Sequence, residues 1–361
     1  MSGRIDFSAR PLRGPVLRSV SRSFYLSIRI LPRRLREPVA LAYLLARTTD
    51  TVADTARIPW ATRAQTLQML SNMIQGKAPP DGIGSLAGES SPGGGAHRSR
   101  SNAAGSIVNL VSSFAPLQEN AAERTLVESL PRCLEWLEQL NPVDRDDVRS
   151  VLEKITQGQT LDLQRFDNPP EIHALATAAD LDEYTYLVAG CVGEFWTRLC
   201  FRHVRKFARL SAEEMLDHGK HYGMGLQLIN ILRDAGTDLR SGRCYFPNEE
   251  LAMARMDASQ ILREPERFQP IYRKWLERAR QGIESGMQYS RAIRHRRIRA
   301  ATVLPALIGT RTLALLRGAG ATMLHRKIKA SRGEVKTMIA SLAMTFASRS
   351  QIDAMFRRLS L

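Results

Sequence analysis

The stretch GMGLQLINILRDAGTDLRSGRCYFP (residues 223–247) decides how this chain is read. Gln227, Asn230, Asp234 and Asp238 recur at steps of three and four residues, which puts them on one stripe of an α-helix. Leu228, Ile231 and Leu232 fall elsewhere around the same helix and give it apolar surface. Gly236 inside a helix costs about 1 kcal/mol relative to Ala. Arg233, Arg240 and Arg243 crowd one end, a setting suited to oxyanions. The periodicity predicts one long helix over 211–239.

Outward from that segment, helical periodicity dominates. It predicts further helices at 121–140, 146–166, 181–208, 269–294, 302–325 and 333–348. Strand alternation is not convincing anywhere, and no turn pair is bracketed by β-branched runs. The fold class is all-α. Pro38 after Glu37 predicts a helix start for VALAYLLARTTDTVADTA (39–56).

On that helix Tyr43, Arg47, Asp50 and Asp54 share one stripe, with Leu41, Leu45, Thr48 and Val52 opposite. Two aspartates four apart repel by roughly 0.2–0.5 kcal/mol, and Asp is a poor interior helix former. A divalent cation turns the repulsion into coordination, since Mg²⁺ commonly joins one or two carboxylates to substrate phosphates. A solvated face with Arg47 and Arg57 as ion-pair partners is the competing reading of this motif taken alone. With a second D-x3-D at 234–238, facing walls of one cavity that binds a metal-bridged diphosphate become the better reading.

Composition narrows the classes. The 361 residues are 43 % hydrophobic, 24 % charged and 6 % aromatic, enough for a buried core and unlike a disordered chain or a membrane bundle. Fifty-two Lys+Arg against 36 Asp+Glu leave +16, an excess that attracts nucleic acid, anionic lipid or a polyanionic substrate. Cys133, Cys191, Cys200 and Cys244 form no CxxC pair, so neither a zinc site nor a disulfide scaffold is expected and a reducing, cytoplasmic setting is. The N-terminus lacks the apolar run of a signal peptide. Ala300–Leu316, broken by Pro305 and carrying Arg311, reads as a buried core helix and not a membrane span. Residues 76–106, dense in Gly, Ser and Pro, read as a disordered loop inserted in a single domain covering 1–361; a linker between two domains is the alternative.

The segments SRSFYLSIRILP (21–32), YLLARTTDTVAD (43–54), GQTLDL (158–163), YTYLVAGCVG (184–193) and LQLINILRDAGTDLRSGRCYFP (226–247) together resemble the squalene/phytoene synthase family, the head-to-head trans-isoprenyl diphosphate synthases. The resemblance implies an all-α isoprenoid-synthase bundle around a central cavity, Mg²⁺ as cofactor and prenyl diphosphate substrates. By the same resemblance Asp50, Asp54, Asp234 and Asp238 hold the metal ions. Arg22, Ser23, Arg47, Gln227, Asn230, Arg233 and Arg243 then belong to the diphosphate sites, while Phe24, Tyr43 and Tyr184 border the reacting carbons. Ionising an allylic diphosphate in an apolar site needs charge stabilisation aimed at the leaving oxygens. The carbocation left behind needs a dry wall, for which Val188, Ala189, Gly190, Val192 and Gly193 are suited. Tyr184 offers a ring face or a proton acceptor there; a core tyrosine with a satisfied hydroxyl is the alternative.

Within the family, DTVAD and GRCYFP are similar to squalene-type segments, as is LPALIGTRTLALL with the following HRKIKASRGEVKTMI. This implies condensation of two farnesyl diphosphates to presqualene diphosphate and reduction by NADPH to squalene. Lys327, Lys329, Arg332 and Asn230 are the implied NADPH contacts. Stopping at presqualene diphosphate, or making phytoene or dehydrosqualene, are the alternatives, and GQTLDL is closer to the phytoene type. Ala53, Thr55 and Thr237 stand where the squalene branch often has acids, and Ala301 where some members have an aromatic residue. A basic helical protein that binds RNA or membrane without catalysis is the reading from another class. No recognisable RNA motif or aromatic stacking segment supports nucleic acid as partner, whereas peripheral membrane contact is compatible with lipid substrates.

Overall fold

The structure, a computed structural model, describes residues 12–21, 24–77, 105, 107–166 and 171–360. The insertion expected at 76–106 lies almost wholly outside the described residues. So do Arg22 and Ser23, and the side chain of Phe24 is likewise not described.

The chain is all-α. Helices α1 (Leu17–Ser21), α2 (Phe24–Arg29), α3 (Arg33–Asp54), α4 (Trp60–Ile74) and α5 (107–114) lead to α6 (Ala121–Glu128), α7 (Leu130–Gln139) and α8 (Pro142–Arg165). Then come α9 (Ala178–Thr185), α10 (Cys191–His203), α11 (Ala212–Arg240), α12 (Asn248–Met253), α13 (Pro265–Ala292), α14 (Arg296–Ala319), α15 (Arg332–Met344) and α16 (Arg349–Leu359). Two compact units divide them. One takes the N-terminal residues to Tyr25 with Arg36–Leu163, and the other takes Leu26–Leu35 with Gln164–Leu361.

In the first unit α3 starts at Arg33, not at Pro38, so the proline lies inside the helix. It removes one hydrogen bond to the carbonyl four residues back. Burial of Leu35 and Val39 on either side of it holds the turn. Leu41, Leu45, Thr48 and Val52 are completely buried, as the stripe pattern requires. The run expected as one helix over 121–140 breaks at Ser129, because Pro131 belongs to the first turn of a new helix.

The second unit is built around α11 and α13. Capping boxes at Thr177 and Ser211 fix the starts of α9 and α11. Between α9 and α10 the helix does not stop: Tyr186–Gly190 forms a π-helical turn. The close packing of α11 depends on absent side chains. A Cβ on Gly193 would lie 1.9 Å from the Gly219 carbonyl oxygen, and one on Gly223 2.2 Å from that of Ala189. One on Gly236 would lie 1.8 Å from the Leu324 oxygen. The glycines of VAGCVG and of α11 therefore serve helix-to-helix approach as well. Two-residue strands β1 (His173–Ala174) and β2 (Arg243–Cys244) pair in parallel, too short to leave an alternating pattern.

By length and composition Arg296–Leu324 is apolar enough to cross a membrane, yet 67 % of its apolar window is buried inside the protein, as in a core helix. All four cysteines are buried thiols. Burial pushes Cys133 and Cys244 up to about 12.

Candidate active site

In the first unit, α3 carries Tyr43, Arg47, Asp50 and Asp54. The Tyr43 hydroxyl donates to the Val20 carbonyl at 3.1 Å. Arg47 donates to Asp50 through one terminal nitrogen and to Glu123 of α6, at 2.6 Å, through the other. Burial and the neighbouring Asp54 charge push the Asp50 carboxyl up to about 6, against the opposing pull of Arg47. Its side chain keeps 41 % exposure, so the carboxylate remains open to a ligand. Asp54, at the last position of the helix, is exposed.

In the second unit, α11 presents a connected polar chain. Asn230 donates to Gln227 at 3.3 Å and accepts from Arg233 at 3.0 Å. Arg233 in turn grips Asp234 with two contacts, at 3.0 and 2.5 Å. This fork-to-carboxylate geometry is the strong form of an ion pair. Asp238, one turn on, is half-buried and adds its charge to the surroundings of the Cys244 thiol. Arg243 sits on β2, half-buried.

Tyr184, at the end of α9, is half-buried and stacks on Tyr245 with centroids 5.2 Å apart. Phe166 meets Tyr245 edge-on at 5.0 Å. Tyr245, inside GRCYFP, is a site residue that no sequence spacing singles out. Glu123 is the other one missed: it lies 76 residues from Arg47, and no local spacing announces it.

Lys327, Lys329 and Arg332 are exposed on the stretch leading into α15. Ser331 and Glu334 cap that helix reciprocally, and Arg311 holds Glu334 at 2.7 Å. These contacts fix the segment from the α15 side and leave its cations facing solvent, a donor set suited to phosphate groups. A recess of about 810 Å³ among α13, α14 and α16 contains none of the expected site residues.

Among the described residues, no three His, Cys, Asp or Glu side chains converge to hold a metal unaided. Two carboxylates on each helix do suit Mg²⁺, which retains waters and completes its shell with substrate phosphates.

Residues 17–334 match the squalene/phytoene synthase family model. A bifunctional lycopene cyclase/phytoene synthase of Arthroderma gypseum is 32 % identical over 169 residues, 45 % of this chain and 28 % of that protein. Squalene synthase of Saccharomyces cerevisiae is 26 % identical over 234 residues, 65 % of this chain and 44 % of that one. The chain thus spans less than half the length of these curated relatives. The solved complex of TcSQS with a ligand superposes with a TM-score of 0.69 at 20 % identity, covering 98 % of each chain. That likeness establishes the all-α fold of the squalene synthase structures. With the family model spanning most of its length, the chain belongs to the squalene/phytoene synthase family.

Proposed function

We propose that the protein is a squalene synthase, a Mg²⁺-dependent enzyme that condenses two farnesyl diphosphates to presqualene diphosphate and reduces this with NADPH. The observation that carries the reading is the repeated element on α3 and α11: an aspartate pair four residues apart, its first member hydrogen-bonded to an arginine of the same helix.

Asp50 and Asp54 would hold metal on one helix, Asp234 and Asp238 on the other. Held there, Mg²⁺ would supply the positive charge that lets a diphosphate leave without a proton. Arg47 and Arg233 each present further cationic N–H groups to a diphosphate held at the aspartate pair of their own helix. Glu123 restrains Arg47 from behind, so the guanidinium is oriented before substrate arrives. Gln227 and Asn230 orient Arg233 in the same way. The Tyr184–Tyr245 stack offers aromatic faces that stabilise positive charge on the prenyl chain and add no strong nucleophile. Lys327, Lys329 and Arg332 would hold the phosphates of NADPH, a cofactor that would supply hydride for the second half-reaction.

A second reading, condensation of geranylgeranyl diphosphate to phytoene, draws support from the 32 % identity to the lycopene cyclase/phytoene synthase. One assay separates them: purified protein with each prenyl diphosphate and Mg²⁺, with and without NADPH, followed by product identification. Squalene formed only with NADPH is the expected result. Presqualene diphosphate accumulating regardless of reductant, or turnover of geranylgeranyl diphosphate alone, overturns it.

A further inference from the structure

Three segments of the second unit, 201–209, 291–299 and 343–349, are stitched together through backbone. Ala208 bridges Ile293, Arg209 N–H donates to the Ala292 oxygen at 3.0 Å, and Arg294 N–H donates to the Phe207 oxygen at 2.9 Å. Arg299, only 3 % exposed, donates to the carbonyls of Ile293, Arg294 and Ala347 at 2.9–3.1 Å. Arg349 donates to those of Arg291 and Ile293. These segments contain ten arginines and lysines and no aspartate or glutamate. Arg205, Lys206, Arg209, Arg294, Arg296 and Arg297 are exposed.

The cations repel one another. Burial, then Arg349, Arg296 and Arg209, bring Arg299 down to about 10, while burial, Arg209 and Arg294 lower Arg349. The two inner arginines spend their N–H groups on backbone carbonyls, and Arg291 pairs with Asp353 of α16 at 2.6 Å.

In the same place the end of α15 and the turn after it expose two large apolar side chains, Met344 at 74 % and Phe346 at 68 %. Phe346 and Ala347 both adopt φ of 49°, a left-handed conformation that is uncommon for residues other than glycine and asparagine. The turn is held in it by the Ala347 N–H donating to the Leu342 oxygen, by Arg299 on the Ala347 oxygen and by the fully buried Ala347 side chain. A phenylalanine is thus held exposed, in a costly conformation, on a turn that Arg299 and Arg349 tie to the basic segment 291–299.

We propose that this end of the second unit docks on an anionic lipid bilayer, with Met344 and Phe346 entering the headgroup layer and the surrounding cations meeting lipid phosphates. Basic clusters at a membrane surface gain from the negative leaflet, and apolar side chains add their transfer from water. A second copy of the chain is a poor occupant, because the surface would meet its own sign of charge. Nucleic acid would use the cations and have no use for Met344.

The test is sedimentation of the full chain with vesicles of phosphatidylcholine alone or containing phosphatidylglycerol, without substrate, so its outcome is independent of the proposed activity. Binding to the phosphatidylglycerol vesicles that falls with salt is expected. Arg296→Glu with Arg297→Glu removes two cations in the first turn of α14, where acidic residues suit the helix, and lowers partitioning at least about 20-fold. Phe346→Asn keeps a residue that tolerates the left-handed turn and lowers it about tenfold. Equal binding to both vesicle types, no binding, or variants that bind like wild type with unchanged thermal midpoints overturn the proposal. Tighter binding to duplex RNA or DNA that Phe346→Asn leaves untouched overturns it in favour of nucleic acid.

Discussion

Helices α3 and α11 carry the same chemical element, D-x3-D with an arginine beside it, and hold it by different packing. Around its aspartates α3 packs through threonines: Thr48, Thr49, Thr51 and, just past its end, Thr55 are buried, and each hydroxyl donates to an α3 carbonyl at 2.7–2.9 Å. Along its length α11 uses glycines, against whose bare backbone Gly193, Ala189 and Leu324 approach so closely that no Cβ fits. The arginines differ too. Arg47 is shared between Asp50 and a distant Glu123, whereas Arg233 belongs wholly to its own helix. A functional stripe constrains one face of a helix, and the other faces are free to solve packing in unrelated ways.

The largest expected effect is common to both helices. Asp50→Asn and Asp234→Asn each lower Mg²⁺-dependent diphosphate release from farnesyl diphosphate by at least about 10²–10³-fold, since each removes a ligand aimed at the leaving charge. Pyrophosphate release at saturating substrate measures it; a drop for only one of the two would break the symmetry of the pair. Next, Gly236→Ala forces a methyl onto the Leu324 carbonyl and destabilises the fold by about 1–3 kcal/mol, read from urea unfolding. Gly318→Ala, which meets nothing within 4 Å in α14, stabilises by about 0.4–1 kcal/mol. On α3, Thr48→Val leaves the Leu44 carbonyl its helical partner and changes stability by less than about 1 kcal/mol. A cost equal to that of Gly236→Ala would show that threonine packing is as exacting as glycine packing.

A control of similar size lies outside both helices. The Ser331 N–H and Arg311 hold Glu334 down at about 2, below its unfolded value of about 4.3. A depressed carboxylate stabilises above its unfolded pKa and loses that contribution as pH falls toward the folded one. Glu334→Gln is therefore less stable than wild type at pH 7 by about 0.5–1 kcal/mol, and the difference closes between about pH 4 and pH 2.

Much of this was legible in the residue order. The all-α class, the extents of α8, α11 and α13 and the stripes of α3 and α11 follow from periodicity, which is a local property. Where a single residue acts through its neighbours, the sequence misleads. Pro38 reads as a helix start because its cost is visible and the buried Leu35 and Val39 that offset it are not. The glycines of VAGCVG signal space in the sequence, and only the fold shows that α11 backbone takes up part of it. Glu123, Tyr245 and the cations of 291–299 gain their meaning only from chain segments brought beside them.

The π-helical turn at Tyr186–Gly190 acts as a phase shifter between α9 and α10. An α-helix advances about 100° per residue, so deleting one residue there would leave an unbroken helix and swing Tyr184 by that angle off the ring of Tyr245. The extra residue sets the aim of the tyrosine, and the glycine contacts of α10 against α11 supply the fixed mount from which it is aimed.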